Sequence, residues 1–170
     1  QKGRYRQFWQ FGCELIGADS AAADAEIISV AHALLKCTGV NFILKVGHLS
    51  PMKSLLADLD AVEQKKVMSA LDKRDEELLQ NTVSSLGRPE LFEPLVALTK
   101  AQCLDDVFAV VGDIPEKARI EETFAFLEAQ NIPVVYNFGI ARGLDYYTGM
   151  VFEGFADNLG AENQILGGGV

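Results

Sequence analysis

No apolar run in the 170 residues approaches the roughly 18 that a membrane-spanning helix requires. The first residues carry no signal-peptide pattern. No membrane partner is therefore expected. Cysteine is scarce: Cys13, Cys37 and Cys103 are odd in number, far apart and without CxxC spacing. That pattern argues against a disulfide framework and against a zinc site, and points to reduced thiols in a cytoplasmic protein. Histidine is scarcer still. His32 falls in a helical pattern, where packing is its ordinary role, and His48 has no Cys, His or Asp/Glu at ligand spacing, so no protein-held metal is expected. Basic residues are outnumbered, 15 against 24, and the net charge of -9 excludes a general polyanion-binding surface but not a local basic pocket. Neither GxxxxGK[ST] nor GxGxxG occurs, and no Ser/His/Asp or Cys/His nucleophile set is visible. What remains is an ordinary globular balance, 49% hydrophobic and 23% charged, at a length suited to one domain or one domain with an inserted lobe.

The most basic stretch comes first, in "KGRYRQFWQFGCELIG" (Lys2 to Gly17). Its alternation predicts a strand. One face would carry Arg4, Arg6, Phe8, Gln10, Gly12 and Glu14, and the other Tyr5, Gln7, Trp9, Phe11 and Cys13. The second face suits a core. The first holds cations, a flat aromatic, an amide, a gap and a carboxylate. From the residues alone it fits a ligand surface or a solvated exterior equally well.

Beyond it, "GADSAAADAEIISVAHALLKCTG" predicts a helix capped by Asp19 or Ser20 and stopped at Gly39, with Ile27, Val30 or Ala31, Leu34 and Leu35 as its buried stripe. Asn41 to Ser50 predicts a second strand, with Phe42, Leu44 and Val46 facing one way. From Ser50-Pro51 the pattern turns helical. Val62, Val67, Met68 and Leu71 fit one helix, and Leu91, Leu95 and Leu98 another. Asp105 can cap a short segment, Pro115 suits a first turn, and Ile120, Phe124 and Leu127 repeat at helical spacing. "KRDEE" (Lys73 to Glu77) fits a solvated face or bend. Pro133 closes this region. "VVYNFGI", "ARGLDYYTGMVFEGFA" and "NQILGGGV" then return to extended chain, with turns at Thr148-Gly149 and Asn158 to Gly160. The expected architecture is α+β: residues 1–50 begin a core of antiparallel sheet, residues 51–131 form a helical insertion, and residues 132–170 return to the core. The chain opens on a charged motif and stops at "LGGGV", and it is expected to be a piece of a longer polypeptide.

Arg142-Gly-Leu-Asp-Tyr-Tyr147 is the second concentration of polar and aromatic residues. Alone it fits a strand with packed tyrosines and a surface Arg–Asp pair, and the glycines Gly167 to Gly169 fit a bulge, a turn or close passage beside a ligand. Together, in order and around a helical insertion, "KGRYRQFWQFGCELIG", "ARGLDYYTGMVFE" and "LGGG" resemble the histidyl-tRNA synthetases, a family of class II aminoacyl-tRNA synthetases. The first resembles the second half of that class's motif 2. The Arg142–Tyr147 stretch resembles the family's own histidine signature, and the glycines resemble the start of its second signature.

The resemblance implies activation of histidine with ATP to histidyl-adenylate, followed by transfer to tRNA(His), in a cytoplasmic homodimer. Magnesium would arrive with ATP. Arg4 would contact the ATP phosphates and Phe8 would stack on adenine. Gln10 would hold the amino-acid end of histidine, while Glu14 and Tyr147 would bond the imidazole. A neutral imidazole offers one donor and one acceptor, which a carboxylate and a phenol hydroxyl can match. Arg142 would stabilise charge developing at the α-phosphate. Tyr146, Gly167 and Gly168 would line the histidine pocket. Because the likeness begins within motif 2, the chain is expected to hold about half an active site and to be inactive by itself. Two rival expectations are the synthetase-like regulatory subunit of ATP phosphoribosyltransferase and a non-catalytic α+β binding module.

Overall fold

A computed structural model describes residues 6–139, 146–156 and 163–170. Residues 6–19 form neither helix nor strand, although their alternation predicts one. The cause is the absence of any ladder beside them among the described residues. Phe8 and Phe11 lie open and Trp9 is 98% exposed, so the apolar face has no core to cover. An unpaired strand with a solvated apolar face gains nothing from extension.

Regular structure begins at α1 (Ala21–Cys37), where the Ser20 hydroxyl accepts from the Ala23 N–H at 3.2 Å. It ends as expected at Gly39, whose φ of +72° suits a residue without Cβ. Its buried side differs from the expected stripe. Ala21, Ala25, Ile28, Ala31 and Leu35 are buried, whereas Val30 and Leu34 face outward. The alanines let α1 lie close against its neighbours, so the buried arc follows them rather than the bulkiest side chains.

β1 (Phe42–His48) leads directly into α2 (Leu49–Leu55). Then come α3 (Ala61–Asp72), α4 (Glu76–Ser85), a single 3₁₀ turn at Pro89–Leu91, α5 (Phe92–Lys100), α6 (Leu104–Val111) and α7 (Lys117–Ala129). Asp60 and Glu63 form a reciprocal capping box on α3, and Asp75 caps α4 after the bend in "KRDEE". Cys103, not Asp105, is the N-cap of α6. Asp105 sits in the first turn, and the Asp106 carboxylate accepts from the Gln102 N–H at 2.9 Å. The predicted stripes of α3, α5 and α7 are buried except for Val62, which is exposed.

β2 (Val135–Tyr136), β3 (Met150–Ala156) and β4 (Gln164–Gly169) complete a four-stranded sheet in the order β2-β1-β3-β4. β1/β3 and β3/β4 are antiparallel. The short β2 runs parallel to β1, because a helical crossover brings the chain back in its original direction. Residues opposite one another share a face, so Leu44, Val46, Met150 and Phe152 point together into the core with Ile28 and Leu35 of α1. α7 lies beside α1, and its Phe124 stacks on Tyr136 with ring centroids 4.6 Å apart. The same buried cluster continues without a break into Val67, Val83, Leu95 and Val107 of the helical lobe.

Candidate active site on the open face of the sheet

One face of the sheet is filled by helices; among the described residues the other is open except at one end, where Val151 is buried against Leu49 and Tyr147. Register places Lys45, Glu153 and Gly167 in one row across it, and Gly47, Val151 and Gly169 in the next. The Lys45 ammonium sits 4.7 Å from the centroid of the Phe155 ring, a cation over an aromatic face. At the end of this face Tyr147 packs on Leu49 and Val151. A side chain at Gly169 would place its Cβ 2.9 Å from Tyr147 Cδ1 and 2.7 Å from the Met150 carbonyl oxygen. Only glycine there lets the phenol ring lie against the backbone of β4. Tyr146 is 82% exposed and meets Tyr147 edge-on at 5.1 Å.

The backbone around Tyr147 is held from two sides. The Gly149 N–H donates to the Val170 carbonyl at 3.0 Å, and the Val170 N–H donates to that of Met150 at 2.9 Å. From the other side the Leu49 N–H donates to the Gly149 carbonyl at 3.0 Å. His48 turns the corner there. Its Nδ1 accepts from the Ser50 N–H at 3.1 Å and caps α2, so the proton of the neutral ring sits on Nε2. Burial lowers its pKa to about 4.

The expected pocket residues fall into three groups. Tyr147, Tyr146 and Gly167 are at or beside the open face, where a Cβ on Gly167 would meet only Gln164 Nε2, at 3.3 Å. Gly168 points the other way: a Cβ there would lie 2.4 Å from Phe152 Cζ, so this glycine makes room for a core ring. Phe8, Gln10 and Glu14 lie on the exposed, irregular residues 6–19, and the structure does not bring them to Tyr147. Arg4 and Arg142 are outside the described residues. Gly169 is the member that sequence reasoning missed. The signal was available, since residues two apart on a strand share a face and Gly167 was already a candidate.

Among the described residues no group of three or more His, Cys, Asp or Glu side chains is arranged to hold a metal ion. Nor is any helix among them long and apolar enough to cross a membrane.

Comparison with known proteins gives a consistent family. The sequence is 75% identical over 170 residues to a histidine–tRNA ligase from Methanocorpusculum labreanum, covering 100% of this chain and 42% of that protein. It is 62% identical over 169 residues to the one from Methanoculleus marisnigri, covering 99% and 41%. The chain thus spans about two fifths of the length of the curated relatives it matches. In fold it is similar to the crystal structure of an ATP phosphoribosyltransferase regulatory subunit/histidyl-tRNA synthetase from Bacillus halodurans, with a TM-score of 0.79 and 24% identity over 91% of this chain and 44% of that one. It also resembles the histidyl-tRNA synthetase from Nostoc sp. PCC 7120, with a TM-score of 0.73 and 20% identity over 89% and 40%. At those identities the structures speak for the fold alone. The family model for histidyl-tRNA synthetase matches residues 1–170, and with the close relatives it shows that the chain belongs to the histidyl-tRNA synthetase family.

Proposed function

We propose that the polypeptide carrying this chain is a histidine–tRNA ligase, which condenses histidine with ATP to histidyl-adenylate and pyrophosphate and then esterifies tRNA(His). The observation that carries this reading is the 75% identity, over every residue of the chain, to a histidine–tRNA ligase. The open sheet face supports it. Tyr147 is a half-buried phenol at the end of that face, backed by Leu49 and Val151 and lying against a glycine. There its hydroxyl bonds one imidazole nitrogen of the substrate, while Glu14 accepts from the other. An apolar amino acid would leave both groups unpaired, and such selection can reach on the order of 10⁴-fold.

The remaining roles follow the motifs. Arg4 pairs with the ATP phosphates, where a guanidinium forms forked bonds, and Phe8 stacks on adenine. Gln10 holds the amino-acid end of histidine, and Tyr146 and Gly167 line its pocket, while Gly168, expected there too, faces Phe152 in the core. Arg142 stabilises charge at the α-phosphate as the histidine carboxylate attacks. That step depends on alignment and charge neutralisation rather than a covalent enzyme intermediate. Magnesium enters with the nucleotide and neutralises its phosphates. Residues 1–50 and 132–170 serve as catalytic core and residues 51–131 as the inserted lobe. The working protein is a cytoplasmic homodimer, and this chain alone is inactive.

Histidine-dependent ATP–pyrophosphate exchange by the full-length protein tests the reading. Exchange that falls by a factor of about 10² or more on Arg142→Ala is the expected result. A folded full-length protein without exchange would overturn it and favour the regulatory-subunit role.

A further inference from the structure

Residues 137–139 on one side of the histidine signature are held by β1 and α5, and residues 148–149 on its other side by α2. On its N-terminal side the Asn137 N–H donates to the Val46 carbonyl at 2.9 Å, which extends the β1/β2 pairing by one residue. At that point the chain runs so close to β1 that a Cβ on Gly47 would sit 2.0 Å from the Asn137 carbonyl oxygen and 2.8 Å from its carbon. Phe138 is then buried in the core. Gly139 passes under the last turn of α5, where a Cβ would lie 2.8 Å from Thr99 Cγ2 and 3.0 Å from Thr99 Cα. On the C-terminal side α2 takes over. The Lys53 ammonium donates to the Thr148 carbonyl at 3.4 Å, the Leu49 N–H donates to the Gly149 carbonyl, and the Leu49 side chain supports Tyr147. α2 packs on α5, so the two grips belong to one body.

We propose that the helical lobe clamps both flanks of the histidine signature. Thr99 at Gly139 and Lys53 at Thr148, with Leu49 at the core end of the same α2 helix on Gly149, then act as positioning residues for histidine binding. This rests on the reading of Tyr147 as a partner of the imidazole. The contacts suit positioning better than stability. Lys53 makes a solvent-exposed hydrogen bond, which adds little to folding, yet its acceptor is the residue next to Tyr147. Thr99 is exposed at the end of its helix, yet it closes on backbone three residues before Arg142. A shift of the lobe would move both flanks together, so an event at the lobe reaches the amino-acid pocket without touching the substrate.

The test is ATP–pyrophosphate exchange by the full-length protein, with KM measured separately for histidine and ATP. Lys53→Met is expected to raise the histidine KM about threefold, the worth of one modest hydrogen bond, with the ATP KM unchanged and Lys53→Arg restoring the original value. Gly139→Ala drives a methyl into Thr99 and is expected to raise the histidine KM on the order of 10-fold or more, because displacements near an ångström are costly to aligned groups. Adding Thr99→Gly to Gly139→Ala should recover part of that loss. If Gly139→Ala does not fold, Lys53→Met and its Arg rescue decide the matter. An unchanged histidine KM in Lys53→Met, with only thermal stability altered, overturns the clamp while leaving the synthetase reading intact. A wild-type protein without exchange overturns both.

Discussion

Arg119→Ala should be among the most damaging single substitutions away from the open face. Arg119 on α7 grips Asp24 in the first turn of α1 through two bonds, from Nε at 2.8 Å and from a terminal nitrogen at 2.9 Å, and its remaining nitrogen bonds Asp19. The fork with Asp24 raises the guanidinium pKa further above its ordinary value. The partners differ in burial: the Asp24 side chain is 3% exposed and that of Arg119 29%. Removing Arg119 strands a buried carboxylate, a defect that costs about 3–5 kcal/mol, and the favourable helix N-terminus around Asp24 puts the expected loss near the lower end, at about 3 kcal/mol. Removing Asp24 leaves a guanidinium that still reaches Asp19 and water, so Asp24→Ala should cost only about 1–2 kcal/mol. The double variant should cost less than the sum, because no charge is then left alone. Urea unfolding followed by circular dichroism, with the m-value checked for constancy, reads all three. Equal losses for the two single variants, or losses below about 0.5 kcal/mol, would refute the argument that an uncompensated buried charge sets the scale.

His48 should make stability depend on pH in a defined window. Burial holds its folded pKa at about 4 against 6.5 for the free side chain, so the unfolded chain binds the extra proton first. Its contribution is complete above pH 6.5 and is lost as pH falls from 6.5 towards 4, by at most about 3 kcal/mol. His48→Asn keeps a side-chain acceptor for the Ser50 N–H and should flatten the melting temperature across that window; an unchanged slope would rule His48 out as its source. Gly168→Ala should destabilise by about 1–3 kcal/mol, because its methyl would lie 2.4 Å from Phe152 Cζ. Gly167→Ala, on the open face, should cost under about 1 kcal/mol by the same urea assay.

Much of the fold was legible because local chemistry and tertiary packing agree. Ser20 and Gly39 bound α1, and the leucines of α5 and the Ile120, Phe124, Leu127 series of α7 are buried as their spacing predicts. Legibility failed where a neighbour decides. Of the alternatives Val30 and Ala31 it is Ala31 that is buried, and Leu34, expected inside on hydrophobicity, faces outward because the alanines of α1 set the closest approach. Residues 6–19 have the alternation of a strand, yet alternation states only which faces differ. Pairing must come from another strand, and none of the described ones lies beside them.

The site shows the same division more sharply. Aromatic and polar residues at Tyr146 and Tyr147 were visible as a concentration, and a run of three glycines was visible as unusual. Which glycine serves which purpose was not. The antiparallel register of β3 with β4 puts Gly168 over Phe152 and Gly169 under Tyr147, so one empty side-chain position serves the core and the next serves the open face. A shift of one residue in that register would exchange the two roles without any change in composition. Gly47 and Gly139 are harder still, since each stands alone in an ordinary run. Each is required by a partner about 40 to 90 residues away, the Asn137 carbonyl in one case and Thr99 in the other. Asp24 and Arg119 are likewise 95 residues apart, and neither sits in a motif. Motifs mark where the chemistry concentrates. The groups that hold it in place are specified by non-local contact, and they become visible only once the chain has folded back on itself.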